Sequence, residues 1–206
     1  MNNFKKQKYL IIKKAISTDM ANFIYGYFSF KRRVAKKFFE ERYISPFNTE
    51  WGFWSDEQVP NTYCHYADIV METLLERVKP KIEKETKLKL IPTYSFARLY
   101  KTGDILKRHK DRFSCEISAT MFLGGEPWEL YIEPSGQKNK KGIKVIQKPG
   151  DILIYSGCEL EHWREAFKGK NCCQVFLHYN KAGSTQAKKN KFDRREFLGL
   201  PSYFKK

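Results

Sequence analysis

Residues 94–123 read YSFARLYKTGDILKRHKDRFSCEISATMFL, and this stretch is the most informative about the class of fold. It contains three short runs rich in β-branched, aromatic and other apolar residues, at 94–100, 105–110 and 115–123. Gly103 lies in the turn between the first two runs, where its lack of a Cβ permits tight backbone conformations. Short apolar runs divided by turn residues predict antiparallel strands.

The same texture continues along the chain to residue 179. Five more runs lie at 128–133, 143–147, 151–155, 161–167 and 172–179, and Gly- or Pro-containing turns separate them. Eight short strands at this spacing predict two packed sheets. We therefore expect a jelly-roll core of the cupin-like, double-stranded β-helix type.

The first 87 residues have a different pattern. A strand is expected over residues 9–16, and Ser17 then predicts the N-cap of a helix that runs to about residue 41. Residues 66–87 show a second helical pattern, which Pro80 ends or kinks. We expect a mainly β fold with two long N-terminal helices (α+β), in one domain over 1–206. Its parts are a helical support at 1–87, the core at 88–180 and a basic extension at 181–206.

The composition restricts the class of protein. Hydrophobic residues make up 41% of the 206 residues, which predicts a packed domain. No apolar run approaches the ~20 residues needed to span a bilayer. The number of cysteines is odd, no export signal is seen and no CxxC pair occurs, so we expect reduced thiols and no structural zinc site. Because the chain shows neither an export signal nor a membrane span, we expect a soluble, cytoplasmic protein. We also expect it to be a monomer. The net charge of +16 favours a polyanionic partner such as nucleic acid, or simply a well-solvated surface.

Three residues have the identity and spacing of metal ligands. His109 and Asp111 are two positions apart at the end of a predicted strand, so their side chains are expected on one face. His162 lies on a later predicted strand and completes the set. Two histidines and one carboxylate leave coordination positions free for other ligands, as in non-haem Fe(II) oxygenases.

These motifs resemble the prolyl-4-hydroxylase-like branch of the 2-oxoglutarate/Fe(II) dioxygenases, over about residues 88–180. The matching segments are RLYKTG at 98–103, HKD at 109–111, CEISATMFL at 115–123, PGDILIY at 149–155 and His162. EHWREAFKG at 161–169 is similar to uncharacterised microbial and viral members. The resemblance implies Fe(II), 2-oxoglutarate and O2 as cofactor and cosubstrates. It also implies that 2-oxoglutarate is converted to succinate and CO2 while a C–H bond is hydroxylated.

The sequence departs from the family where a cation is expected to hold the distal carboxylate of 2-oxoglutarate. Nine and ten residues after His162 stand Asn171 and Cys172, and neither is charged. Arg98 and Arg164 are the main candidate replacements. Other residues expected in the cosubstrate pocket are Tyr100, Ser118, Thr120 and Gln174.

The resemblance favours a protein or peptide side chain as substrate, proline among the candidates. Arg112 beside the metal ligands, and Trp54 in an aromatic loop that could cover the site, are the candidate substrate contacts. Two alternatives stay open: an oxygenase that modifies nucleic acid, and a non-catalytic cupin-like binding protein. Turnover of 2-oxoglutarate separates the enzymes from the binding protein.

Overall fold

The computed structural model describes residues 3–137 and 140–206. Two antiparallel sheets dominate it, with strand orders β1-β8-β5-β10-β3-β2 and β4-β9-β6-β7. The strands are β1 (Tyr9–Ile12), β2 (Tyr63–Tyr66), β3 (Leu90–Lys101), β4 (Leu106–His109), β5 (Ile117–Gly125), β6 (Leu130–Glu133), β7 (Ile143–Val145), β8 (Ile152–Ser156), β9 (Glu161–Arg164) and β10 (Asn171–Lys181). The helices are α1 (Asn3–Gln7), α2 (Thr18–Glu40), α3 (Ile69–Thr86) and α4 (Ala187–Asn190).

Helix α2 begins where the sequence predicts it. The Ser17 hydroxyl accepts a hydrogen bond from the Met20 amide at 3.1 Å, which satisfies one of the free N–H groups of the first turn. Ala21, Ile24, Phe28 and Ala35 are the buried residues of this helix. Gly124 of β5 touches the Tyr25 ring so closely that a Cβ would overlap it. The glycine therefore lets α2 pack directly on the larger sheet.

Helix α3 is capped by Asp68, whose carboxylate accepts from the amides of Val70 and Met71 at 3.0 and 3.2 Å. Pro80 lies inside the helix, so of the two expected effects, an end or a kink, the end is wrong. The apolar face of α3 packs on β3 and β10 and continues past the proline to Ile82. Burial of this face therefore outweighs the backbone hydrogen bond that proline cannot donate.

The mostly antiparallel β architecture agrees with the expected core, but several boundaries differ. The described residues contain ten strands: one for each of the eight expected core runs, the strand expected from residue 9 (β1), and β2, which was not expected. β1 and β2 join the larger sheet at its two edges. Strand β1 ends at Ile12 and not at residue 16. Helix α3 begins at Ile69 and not at residue 66, because Tyr63–Tyr66 forms a strand. No helix in residues 3–137 or 140–206 is long and apolar enough to cross a membrane.

Candidate metal centre

The three predicted ligands meet at one point in the smaller sheet. His109 ends β4 and pairs directly with His162 of β9, with ring centroids 4.3 Å apart. Asp111 Oδ1 lies 3.7 Å from His109 Nε2 and 3.5 Å from His162 Nε2. One ligand atom from each residue falls within 4.8 Å of the others, which is a spacing that one metal ion can bridge.

Hydrogen bonds on the far side of each imidazole orient the rings. His109 Nδ1 lies 2.7 Å from the Lys107 carbonyl, and His162 Nδ1 lies 3.2 Å from the Leu160 carbonyl. When Nδ1 carries the proton and donates it to these carbonyls, both Nε2 atoms are unprotonated and present a lone pair on the side of Asp111. Burial, followed by the neighbouring His162, lowers the pKa of His109, which favours the neutral ligand form.

Asp111 lies beyond the end of β4, so its position does not follow from strand alternation. Its amide donates to the Gly157 carbonyl at 2.9 Å, and its Oδ2 accepts from the Ser118 hydroxyl at 2.6 Å. Burial alone would raise the pKa of the carboxyl. Attraction to His162 and His178 and the Ser118 hydrogen bond outweigh it, so the pKa falls well below its usual range. Asp111 is therefore ionised, as a metal ligand must be.

This site needs a glycine at position 157, and the sequence analysis did not identify it. A Cβ on Gly157 would overlap Asp111 Oδ2, the Cys115 carbonyl and Ser118 Oγ. Its only signal in the sequence is the Ser156-Gly157 turn, which resembles many other turns. The residue is glycine because a side chain would push the carboxylate out of place.

A cavity of about 320 Å³ opens on the triad. Its walls include aromatic rings and cationic side chains from the larger sheet and from the loop after β4: Tyr94, Phe96, Tyr155, Phe176, Arg98 and Arg112. The loop before β2 adds Asp56 and Gln58, which the sequence did not single out. Trp54 of the same loop is not among the described lining residues and packs on Phe39 and Tyr63 instead.

Arg98 lies in the cavity wall and is 1% exposed. It donates to Asp56 Oδ1 at 2.7 Å, to Gln58 Oε1 at 3.2 Å and to the Tyr100 hydroxyl at 3.3 Å. The Gln58 amide nitrogen also lies 3.1 Å from His109 Nε2. Arg98 thus holds the loop over the triad, and Gln58 has to release His109 before that nitrogen can bind a metal.

Arg164 is fully buried two residues after His162, and it lies behind the described lining of the cavity. One guanidinium nitrogen donates to the Trp128 carbonyl at 2.5 Å, and the group lies 5.0 Å from the Trp128 ring centroid. Within the described residues, its Nε and Nη2 have no hydrogen-bond partner. A buried cation with two free donors is costly unless an anion joins it.

Of the remaining predicted residues, Tyr100, Thr120 and Gln174 lie on the larger sheet, and Arg112 lies in the loop after β4. Tyr100 is buried against Trp128, with ring centroids 4.9 Å apart. Thr120 donates to Gln174 Oε1 at 3.3 Å, and Gln174 pairs with Arg98 across β10 and β3. Arg112 lies at the mouth, over the Tyr94 ring at 4.8 Å and 3.2 Å from Asp193.

The fold has counterparts among solved structures, although no family model and no curated protein matches the chain by sequence. A Pseudomonas putida prolyl-4-hydroxylase matches with a TM-score of 0.59 and 14% identity, over 88% of this chain and 96% of that one. HygX from Streptomyces hygroscopicus, with nickel and 2-oxoglutarate bound, matches with a TM-score of 0.59 and 12% identity, over 88% of this chain and 86% of that one. A viral collagen prolyl hydroxylase from Paramecium Bursaria Chlorella virus-1 matches with a TM-score of 0.56 and 11% identity, over 86% of this chain and 98% of that one.

The likeness to these solved structures, at 11–14% identity, shows a shared fold. Prolyl-4-hydroxylases are among the structures that share this fold, so the fold that the motif resemblance implies is confirmed. The His109, Asp111 and His162 cluster supplies the donor set that Fe(II) prefers in such enzymes.

Proposed function

We propose that this chain is an Fe(II)- and 2-oxoglutarate-dependent oxygenase that hydroxylates a side chain of a protein or peptide. The observation that carries the proposal is the convergence of His109, Asp111 and His162 on an open cavity. Two imidazole nitrogens and one carboxylate oxygen would hold Fe(II) and leave positions free for cosubstrates. Iron bound there would catalyse the oxidation of 2-oxoglutarate by O2 to succinate and CO2, and this oxidation would be coupled to hydroxylation of a substrate C–H bond.

Arg164 is the proposed partner of the distal 2-oxoglutarate carboxylate. A carboxylate in an apolar cavity needs charge-assisted hydrogen bonds. Arg98 already binds Asp56, whereas Arg164 has two donors without a partner in the described part of the chain. Residues two apart along a strand are separated by ~7 Å, a length that a five-carbon dicarboxylate can span from His162 to Arg164.

The loop that carries Asp56 and Gln58 is the proposed substrate-facing wall. Val59 of this loop is buried against Tyr100 and Leu106, so the loop is anchored beside the triad. Its Asp56 and Gln58 side chains line the cavity together with aromatic rings. Polar groups among aromatic rings suit a peptide segment, and the similar prolyl hydroxylases support that substrate class.

Binding of 2-oxoglutarate to Mn(II)-loaded protein, measured by calorimetry, tests the cosubstrate assignment. We expect Arg164→Met to weaken binding at least about tenfold, because charge-assisted hydrogen bonds contribute about 1.5–3 kcal/mol each. The exposed Arg77 supplies the control, and Arg77→Met should bind as the wild type does. The melting temperature of metal-free Arg164→Met should equal or exceed that of the wild type, because two unpaired buried donors are removed.

Arg98→Met distinguishes the two arginines in the same titration. If it abolishes binding while Arg164→Met does not, the assignment of Arg164 is wrong and the oxygenase proposal stands. If the metal-loaded wild type does not bind 2-oxoglutarate at all, the proposed cosubstrate is wrong.

A separate experiment tests the substrate class: proline-containing peptides incubated with the Fe(II)-loaded enzyme should gain the mass of one oxygen atom. Gain of oxygen by an oligonucleotide and by no peptide would overturn the peptide assignment.

A further inference from the structure

The last twenty residues carry a strong local excess of positive charge. Between 187 and 206 there are seven Lys or Arg residues and two acidic ones, Asp193 and Glu196. Two of the cations are used inside the protein: Arg195 binds the buried Glu72 at 2.8 Å, and Lys205 binds Asp193 at 2.6 Å. The other five are exposed and have no ion pair with any described residue: Lys188, Lys189, Lys191, Arg194 and Lys206.

These five cations, here called the C-terminal basic surface, line one concavity of about 450 Å³. Phe192 lies in the same concavity, with Lys191 over its ring at 4.8 Å. We propose that the C-terminal basic surface binds the phosphodiester backbone of a nucleic acid. Lysine and arginine along a groove contact successive phosphates, and an aromatic ring beside them offers a stacking face for a base.

The charge density of the surface and its aromatic ring favour a nucleic acid as the partner. The cations line a shallow, open depression beside Phe192, so a strand lying across it can place phosphates against the cations and a base against the ring. An acidic protein segment has a lower and less regular charge density than a phosphate backbone. The net charge of +16 adds a long-range attraction for any polyanion, so local contacts have to be separated from it experimentally.

The backbone that presents these cations is held in place. Phe192, Asp193 and Arg194 have φ of 52°, 53° and 68°, a left-handed conformation that non-glycine residues rarely adopt. Surrounding contacts fix it: Tyr66 donates to Asp193 at 2.7 Å, and the Lys206 amide donates to the Arg194 carbonyl at 3.0 Å. A strained segment held by its surroundings is typical of functional sites.

The surface adjoins the mouth of the candidate metal centre. Asp193, which precedes Arg194, lies 3.2 Å from Arg112, and Arg112 lines the cavity. A strand bound to the C-terminal basic surface would therefore pass beside the entrance to that cavity. Binding itself does not depend on the proposed oxygenase activity, so the two proposals can fail separately.

The test is fluorescence anisotropy of a labelled 20-nucleotide single-stranded RNA with full-length, metal-free protein over a range of KCl concentrations. The variant combines Lys188→Gln, Lys189→Gln and Lys191→Gln. The matched control combines Lys5→Gln, Lys6→Gln and Lys84→Gln, three exposed lysines without an ion pair in the described residues. Each lost phosphate contact should reduce the slope of log K against log salt by about 0.7, so the variant should lose about 2.

We expect the variant to bind at least about tenfold more weakly than the control near 0.1 M salt, with thermal unfolding unchanged in both. Equal loss in variant and control would mean that binding reflects overall charge, which overturns the site. Absence of RNA binding by the wild type overturns it as well. Anionic phospholipid vesicles or poly-glutamate that displace the RNA at equal charge concentration would exclude a nucleic-acid-specific surface.

Discussion

Asp111 depends on side chains from a different sheet for its position. Ser118 of β5 donates to Asp111 Oδ2, and His178 Nδ1 of β10 lies 3.0 Å from the same hydroxyl. Burial lowers the pKa of His178 to about 4, so it is neutral near pH 7 and can donate its Nδ1 proton to Ser118. This chain of contacts leaves Oδ1 directed at the two imidazoles.

Loss of the Ser118 hydroxyl should weaken metal binding. We expect Ser118→Ala to reduce Mn(II) affinity by about 10–100-fold, the usual effect of removing a group that orients a metal ligand. Calorimetric titration of the metal measures it. Ser202→Ala, at an exposed serine in the C-terminal segment, is the control. An unchanged affinity in Ser118→Ala would mean that Ser118 does not orient the carboxylate.

Gly157→Ala should disturb the same carboxylate sterically. The added methyl group overlaps Asp111 Oδ2 and two further oxygen atoms, so Asp111 has to move. We expect loss of measurable metal binding with the fold retained, as judged by circular dichroism. Gly26→Ala is the control: nothing lies within 4 Å of its new methyl group, and alanine should stabilise α2 by up to about 1 kcal/mol. Normal metal binding by Gly157→Ala would contradict the role given to Gly157.

For single residues, the sequence predicts which side chains are candidate metal ligands better than it predicts the contacts that position them. His109, Asp111 and His162 can be proposed because few residue types bind metals, and the histidines lie on predicted strands. The reason given for Asp111 was incomplete, since it lies past the strand and is positioned by Gly157 and Ser118. Asp56 and Gln58 reach the cavity from a loop without periodicity, so no local pattern could predict them.

Among the elements, the C-terminal segment is held to α3 by a buried ion pair. Glu72 and Arg195 have 2% and 0% exposed side chains, and Arg195 also donates to the Thr93 carbonyl at 3.1 Å. The Gly199 amide donates to Glu72 as well. These contacts join the segment to both α3 and β3.

A double-mutant cycle tests this ion pair. Glu72→Leu should reduce the free energy of unfolding by about 3–5 kcal/mol, because it leaves Arg195 buried without its counterion. Glu72→Leu combined with Arg195→Met should lose less than Glu72→Leu alone, since no unpaired charge remains. Denaturant unfolding of the single variants and the double variant measures the coupling. Purely additive losses would mean that the two side chains do not interact.

Some of the strands and helices could be predicted from the sequence more readily than others. The middle strands are predictable because runs such as 117–123 and 152–155 are apolar and end at turns. Tyr63–Tyr66 was missed because four residues next to a helix cap carry little periodicity, and pairing with β3 makes them a strand. Burial of its apolar face likewise keeps α3 helical past Pro80.

At the scale of the whole molecule, the sheets bring distant residues together. β3 pairs with β10 and β4 with β9, so Arg98 and Gln174, and His109 and His162, become neighbours across long stretches of chain. The similar structures share this fold at 11–14% identity, which is compatible with cores that keep their pattern and volume while individual residues change. The mainly β fold could therefore be predicted from patterning, whereas patterning left the cation proposed for the cosubstrate open between Arg98 and Arg164.

The most direct test of the account is succinate formation by anaerobically Fe(II)-loaded protein that is given 2-oxoglutarate and then exposed to O2 without added substrate. His109→Ala, which removes one of the three proposed metal ligands, is the comparison. We expect slow succinate formation that requires O2 and disappears in His109→Ala. Absence of succinate from the wild type, together with no binding of 2-oxoglutarate to the metal-loaded protein, would contradict it.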